Sequence, residues 1–176
     1  MSDGAYRAGE TALLAVVEEA EPLVGPWRRR FDAVAAAGVP AHVTVLVPFL
    51  DLDRLDAATM DDLRALIGER GPFTVQFDRC GRFPDALYLA PTPDRPFREL
   101  TEAVAARWPE APPYGGRFAD IVPHLTVAHR QEEHVYDEVE ATLTTRLPLA
   151  ASVTSITLFV SDGDRWHRRA EFPLGL

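Results

Sequence analysis

The chain alternates short apolar, β-branched runs with stretches of helical spacing, and the alternation predicts its elements. Thr11 to Val17 reads as a strand, and Pro22 to Ala37 as a helix through Leu23, Trp27, Phe31 and Val34, stopped by Gly38 and Pro40. His42 to Pro48 reads as a strand, about Met60 to Glu69 as a helix, and Phe73 to Phe77 as a strand. After a turn at Cys80-Gly81 the order starts again, with strand Ala86 to Ala90, helix Arg95 to Trp108, strand Pro123 to Val127, helix Glu133 to Leu147 and strand Val153 to Val160. A hairpin partner, Trp166 to Phe172, follows the Asp162-Gly163-Asp164 turn.

The two passages share element order and little sequence identity. They predict a duplicated α+β unit: one bilobal domain over residues 1–176, with halves of about 1–80 and 81–176 related by a pseudo-two-fold axis. One unequal segment is Pro109 to Pro123, a long loop with four prolines and two glycines, whose counterpart in the first half is only Gly38 to Ala41.

The third strand of each passage carries the same polar interruption. His42 and Thr44 sit in AHVTVLVPFL, and His124 and Thr126 sit in PHLTVAH. Alternation along a strand puts each His-x-Thr pair on one face, and the symmetry brings the pairs together. Two imidazoles facing one substrate can divide the work of base and acid near neutral pH, and a hydroxyl beside each can donate to phosphoryl oxygens. Phosphodiester cleavage needs those jobs and, in this arrangement, no metal.

Composition narrows the field. A net charge of -9 argues against extended or duplex nucleic acid, whose binders present a basic face. All 18 basic residues are arginine, which excludes Schiff-base, lysyl-adenylate and P-loop lysine chemistry. A lone cysteine, Cys80, no membrane-length apolar run and no signal-peptide pattern in MSDGAYRAGE point to a cytoplasmic protein without a membrane partner. His124, His129 and His134 are spaced for neither one strand face nor one helical turn, so no metal site is expected. In the long loop, Tyr114 and Phe118 either stack on a base or pin the loop, and Arg117 is placed to pair a phosphate.

The paired motifs, about eighty residues apart, resemble those of the two-histidine (2H) phosphoesterases, the superfamily of the 2'-5' RNA ligases and cyclic nucleotide phosphodiesterases. GVPAHVTVLVPF and the later PHLTVA look closest to bacterial 2'-5' RNA ligase family proteins. The resemblance implies a bilobal α+β fold of largely antiparallel sheets, with helices on the outside and both motifs on the inner strands of a central cleft, and metal-independent hydrolysis of a 2',3'-cyclic phosphate on a nucleotide or RNA terminus, without cofactor, with ligation only as the reverse reaction. By carry-over His42 and His124 are acid and base, with His124 the base and His42 the acid, and Thr44 and Thr126 hold the phosphate. Many members place Arg where this chain has His129. On a regular strand Arg130 shares the face of His124 and Thr126, and so is expected to bind phosphate while His129 points elsewhere. A binding module of the same fold without turnover, or an esterase for another cyclic phosphate such as an ADP-ribose derivative, are the competing functions. A monomer is expected, because duplication already supplies the internal symmetry of a homodimer.

Overall fold

The computed structural model describes residues 6–175. Residues 1–5, part of the stretch read for targeting signals, lie outside it, as does Leu176. The strands are β1 (Thr11–Val16), β2 (His42–Leu46), β3 (Phe73–Phe83), β4 (Ala86–Thr92), β5 (Leu125–His129), β6 (Leu149–Val153), β7 (Ser155–Ser161) and β8 (Trp166–Pro173). The helices are α1 (Glu21–Phe31), α2 (Ala33–Ala36), α3 (Ala57–Gly68), α4 (Arg95–Arg107) and α5 (Glu133–Thr144).

Two four-stranded antiparallel sheets, ordered β2-β1-β7-β8 and β5-β4-β3-β6, form the α+β frame. The sheets are not the two contiguous halves. β3, from the first passage, pairs with β4, and β7, from the second, pairs with β1. The first passage therefore gives its last strand, and the second its last two, to the other's sheet, and a boundary near residue 80 falls inside β3. The helices exchange likewise: α1 packs against β5 and α4 against β2.

Three further expectations change for local reasons. The Cys80-Gly81 pair lies within β3, and the chain turns at Pro84 and Asp85. The run Val153 to Val160 is two strands, because β6 pairs with β3 while β7, beginning at Ser155, pairs with β1 and β8. The helix expected over Pro22 to Ala37 breaks at Asp32, which is extended at φ -136°, ψ 109°, and whose carboxylate accepts the Val34 N–H at 3.2 Å to cap α2. The alanine-rich continuation masked this break; an Asp in front of such a run is the N-cap signal that could have shown it.

Beyond Thr11, β1 is apolar because both of its faces are covered. Leu13, Ala15 and Val17 enter the main core with Val43, Phe77, Leu87, Leu125 and Leu158, while Ala12 and Leu14 join a smaller cluster with Ala37, Val39, Phe159 and Trp166. Such a strand reads as a continuous apolar run rather than an alternating one. Among the described residues no helix is long and apolar enough to cross a membrane.

Candidate active site

The two motif strands bulge at the same place. Leu13 pairs with Leu46 and Leu14 with Thr44, leaving Val45 extra; Leu87 pairs with Ala128 and Tyr88 with Thr126, leaving Val127 extra. A bulge re-aims the side chains that follow it. In β5 it turns His129, rather than Arg130, toward the side of His124 and Thr126. Regular alternation past Thr126 thus fails: Arg130 lies beyond the strand at φ 54°, its N–H on the Asp85 carbonyl at 2.8 Å, outside the cleft lining.

A cleft of about 660 Å³ gathers His42, Thr44, His124 and Thr126, together with His129, Asp32, Asp85, Asp120, Tyr114 and Phe118. Arg117 is exposed on the loop between Tyr114 and Phe118 and is not part of the lining. His129 Nε2 stands 3.3 Å from Asp85 Oδ2. His134 and His167 lie elsewhere, beside Glu132 at 3.2 Å and Asp162 at 2.8 Å. Among the described residues no three His, Cys, Asp or Glu side chains gather into a metal-holding group.

The two histidines are held alike. His42 Nδ1 is 2.8 Å from the Pro40 carbonyl, and His124 Nδ1 is 2.7 Å from the Val122 carbonyl. A carbonyl only accepts, so each Nδ1 carries its proton and donates, which leaves Nε2 as the nitrogen free to take or give a proton.

Their surroundings differ. Behind His42, α1 supplies Arg28, only 1% exposed, whose Nη1 donates to the Val39 carbonyl at 3.0 Å and whose Nη2 donates to Asp32 Oδ2 at 3.3 Å. Glu21 Oε1 accepts the Ala41 N–H at 2.5 Å and completes the frame around the residues leading into His42. Of the three adjacent arginines Arg28 to Arg30, only Arg28 is buried. Burial, the Arg28 charge and His124 push the His42 pKa down to about 3, against the support of the Pro40 carbonyl. Burial raises the Asp32 pKa, and the Arg28 charge opposes it most strongly.

His124 is instead braced by aromatic rings. Phe83 meets it edge-on at 4.9 Å between centroids and Tyr88 at 5.6 Å, and those two rings stack on each other at 4.4 Å. Tyr88 lies across Gly81, where a Cβ would come within 2.4 Å of its ring. That glycine is a strand position cleared for a ring rather than a turn. Burial lowers the His124 pKa, opposed by its bond to Val122.

The long loop closes one wall. Tyr114, at φ 52°, gives its N–H to the Val47 carbonyl at 2.6 Å, lines the cleft beside Thr44, and meets Phe118 edge-on at 5.7 Å. Phe118 is 58% exposed at the mouth. Asp32, Asp85, Phe83, Tyr88 and Gly81 were not legible as site residues, since nothing in their local sequence marks proximity to a motif strand.

Comparison with known proteins agrees with this architecture. The chain is 26% identical over 129 residues to a Bacillus pumilus (strain SAFR-032) protein that bears a phosphoesterase name, covering 72% of each. It is 30% identical over 110 residues to a similarly named Bacillus cereus (strain G9842) protein, covering 57% of each. Crystalline E. coli LigT complexed with 3'-AMP superposes with a TM-score of 0.63 at 19% identity, over 97% of this chain and 100% of that one, which is a likeness of fold. The profile of the 2'-5' RNA ligase superfamily matches residues 16–165, most of the chain and both motifs, and the protein therefore belongs to that superfamily.

Proposed function

We propose that the protein is a metal-independent phosphodiesterase that hydrolyses 2',3'-cyclic phosphates on small nucleotides or RNA ends, with 2'-5' ligation as its reverse reaction. The observation that carries this reading is the convergence of two equivalent His-x-Thr pairs on one cleft, each imidazole tied through Nδ1 to a carbonyl. Membership of the superfamily supports phosphodiesterase-type chemistry in general. The nucleotide held by E. coli LigT, similar in fold, supports a nucleotide in this cleft.

In the proposed reaction a water oxygen attacks phosphorus as its proton passes to Nε2 of one histidine. The bond to one ribose oxygen breaks, and that oxygen takes the proton held on Nε2 of the other histidine. Thr44 and Thr126 donate to the non-bridging oxygens, where charge collects. Tyr114 and Phe118 offer ring faces to the base, and Arg117 and Arg130, beside the lining, are assigned outer contacts. Burial, and after it the Arg28 charge, disfavour protonation of His42. His124 as base and His42 as acid therefore requires the anionic substrate to enter first and supply the field that lets His42 take its proton.

The test incubates wild type and the His42→Ala/His124→Ala variant with adenosine 2',3'-cyclic phosphate, and with an RNA oligomer ending in one, in EDTA, resolving 2'- from 3'-phosphate products. Turnover by wild type alone is expected. Binding without turnover would favour a sensor, and activity lost in EDTA but restored by a divalent ion would overturn the metal-free mechanism.

A further inference from the structure

The cleft combines apolar walls with carboxylates. Phe83, Phe118 and Ile121 line it, and so do Asp32, Asp85 and Asp120. Among the described residues the lining holds no arginine. The guanidinium partners of two of the three acids lie outside it: Arg28 pairs with Asp32 at 3.3 Å, and Arg98 with Asp120 at 2.9 Å. Asp32 is buried, whereas the side chains of Asp85, on the turn between β3 and β4, and Asp120, on the long loop, are 61% and 75% exposed, which places them at the rim with Phe118.

The arginines near this rim are committed to the protein. Arg98 also gives Nη1 to the Ile121 carbonyl at 2.8 Å and Nε to Asp94 at 2.9 Å, and Arg117 gives Nε to the Tyr114 carbonyl at 3.3 Å. Inside the lining the groups that can carry positive charge are the imidazoles of His42, His124 and His129, and His129 faces Asp85 at 3.3 Å. A cyclic phosphodiester carries one negative charge, and a cleft of about 660 Å³ has the size usual for one small molecule. An RNA end carries a further charge for every preceding nucleotide, and its chain leaves the cleft over a rim where Asp85 and Asp120 repel phosphate. The net charge of -9 on the whole chain has the same sign.

We infer that the site takes a small cyclic phosphodiester of single negative charge, a mononucleoside 2',3'-cyclic phosphate, and that the Asp85 and Asp120 carboxylates turn oligomeric RNA away. This rests on the phosphodiesterase reading above and decides between the two kinds of substrate that it leaves open.

The experiment compares kcat/KM for adenosine 2',3'-cyclic phosphate with that for a tetranucleotide RNA ending in the same cyclic phosphate, at about 50 and about 200 mM salt, in wild type and in Asp85→Asn/Asp120→Asn. Wild type is expected to favour the mononucleotide by at least ~10-fold, the scale of a like-charge encounter. The gap is expected to narrow at the higher salt, which screens exposed charges, and in the variant, which removes them. A phosphate-binding track has the opposite sign, because it loses the oligomer as salt rises. An oligomer used as well as the mononucleotide, a gap that widens with salt, or a gap that neither salt nor the variant alters would each overturn the inference. If wild type turns over neither substrate, that failure belongs to the phosphodiesterase reading, and the comparison is read in calorimetric affinity for adenosine 2'-monophosphate and for the tetranucleotide ending in a 2'-phosphate. Tighter binding of the mononucleotide there sustains the inference, and equal or tighter binding of the oligomer, or binding of neither, overturns it.

Discussion

Thr101, on α4, donates its hydroxyl at 2.6 Å to the carbonyl of Val45, the residue that the bulge of β2 leaves without a register partner on β1. A bulge frees backbone polar groups, and a buried one needs a partner. The helix of the second passage thus secures the distortion that follows the first motif. Thr101→Val keeps the shape and removes the donor, so it should destabilise the fold by about 1–3 kcal/mol in urea unfolding. An unchanged midpoint would mean that the Val45 carbonyl finds another partner.

Arg28 and Asp32 are buried together at 3.3 Å. Removing one member of such a pair strands the other charge, so Arg28→Met should cost about 3–5 kcal/mol in the same measurement. The lost charge should also raise the protonation midpoint of His42, followed by NMR of its ring. A midpoint that stays near 3 in a folded variant would show that the Arg28 charge does not depress it.

The buried imidazole makes stability depend on pH. His42 has a folded-state pKa of about 3, below the ordinary 6.5, so the unfolded chain binds that proton first. Its contribution is fully present above about pH 6.5 and is lost as pH falls from there toward 3. His42→Gln should flatten the decline in denaturation midpoint across that window. An identical decline in the variant would assign the dependence to other groups.

Gly81→Ala would drive a methyl carbon into the Tyr88 ring, which braces His124. A loss of about 1–3 kcal/mol is expected from the forced repacking, with a fall in kcat as the imidazole loses its wall. Full activity with an unchanged melting temperature would show that Tyr88 moves aside without consequence.

His42→Ala and His124→Ala should each lower kcat for adenosine 2',3'-cyclic phosphate by at least ~10²-fold, the usual scale for a positioned acid or base. Near-normal turnover in both variants would leave the histidines a structural role.

The sequence by itself determined most of the elements, their repeated order and the two His-x-Thr pairs, because these follow from local periodicity and from a spacing that recurs; it merged α1 with α2 and β6 with β7. Tertiary pairing alone decided that the first passage lends β3, and the second β7 and β8, to the other's sheet, since partner choice between strands is a non-local property that no window of sequence carries. The same limit hid the bulges at Val45 and Val127. Strict alternation predicted Arg130 on the cleft side, whereas one extra residue in the ladder turned His129 there. Arg28, Gly81 and Tyr114 read as one of three adjacent arginines, a turn glycine and a loop aromatic. Only packing reveals them as a buried charge behind His42, clearance for a ring against His124, and a ring on the cleft wall.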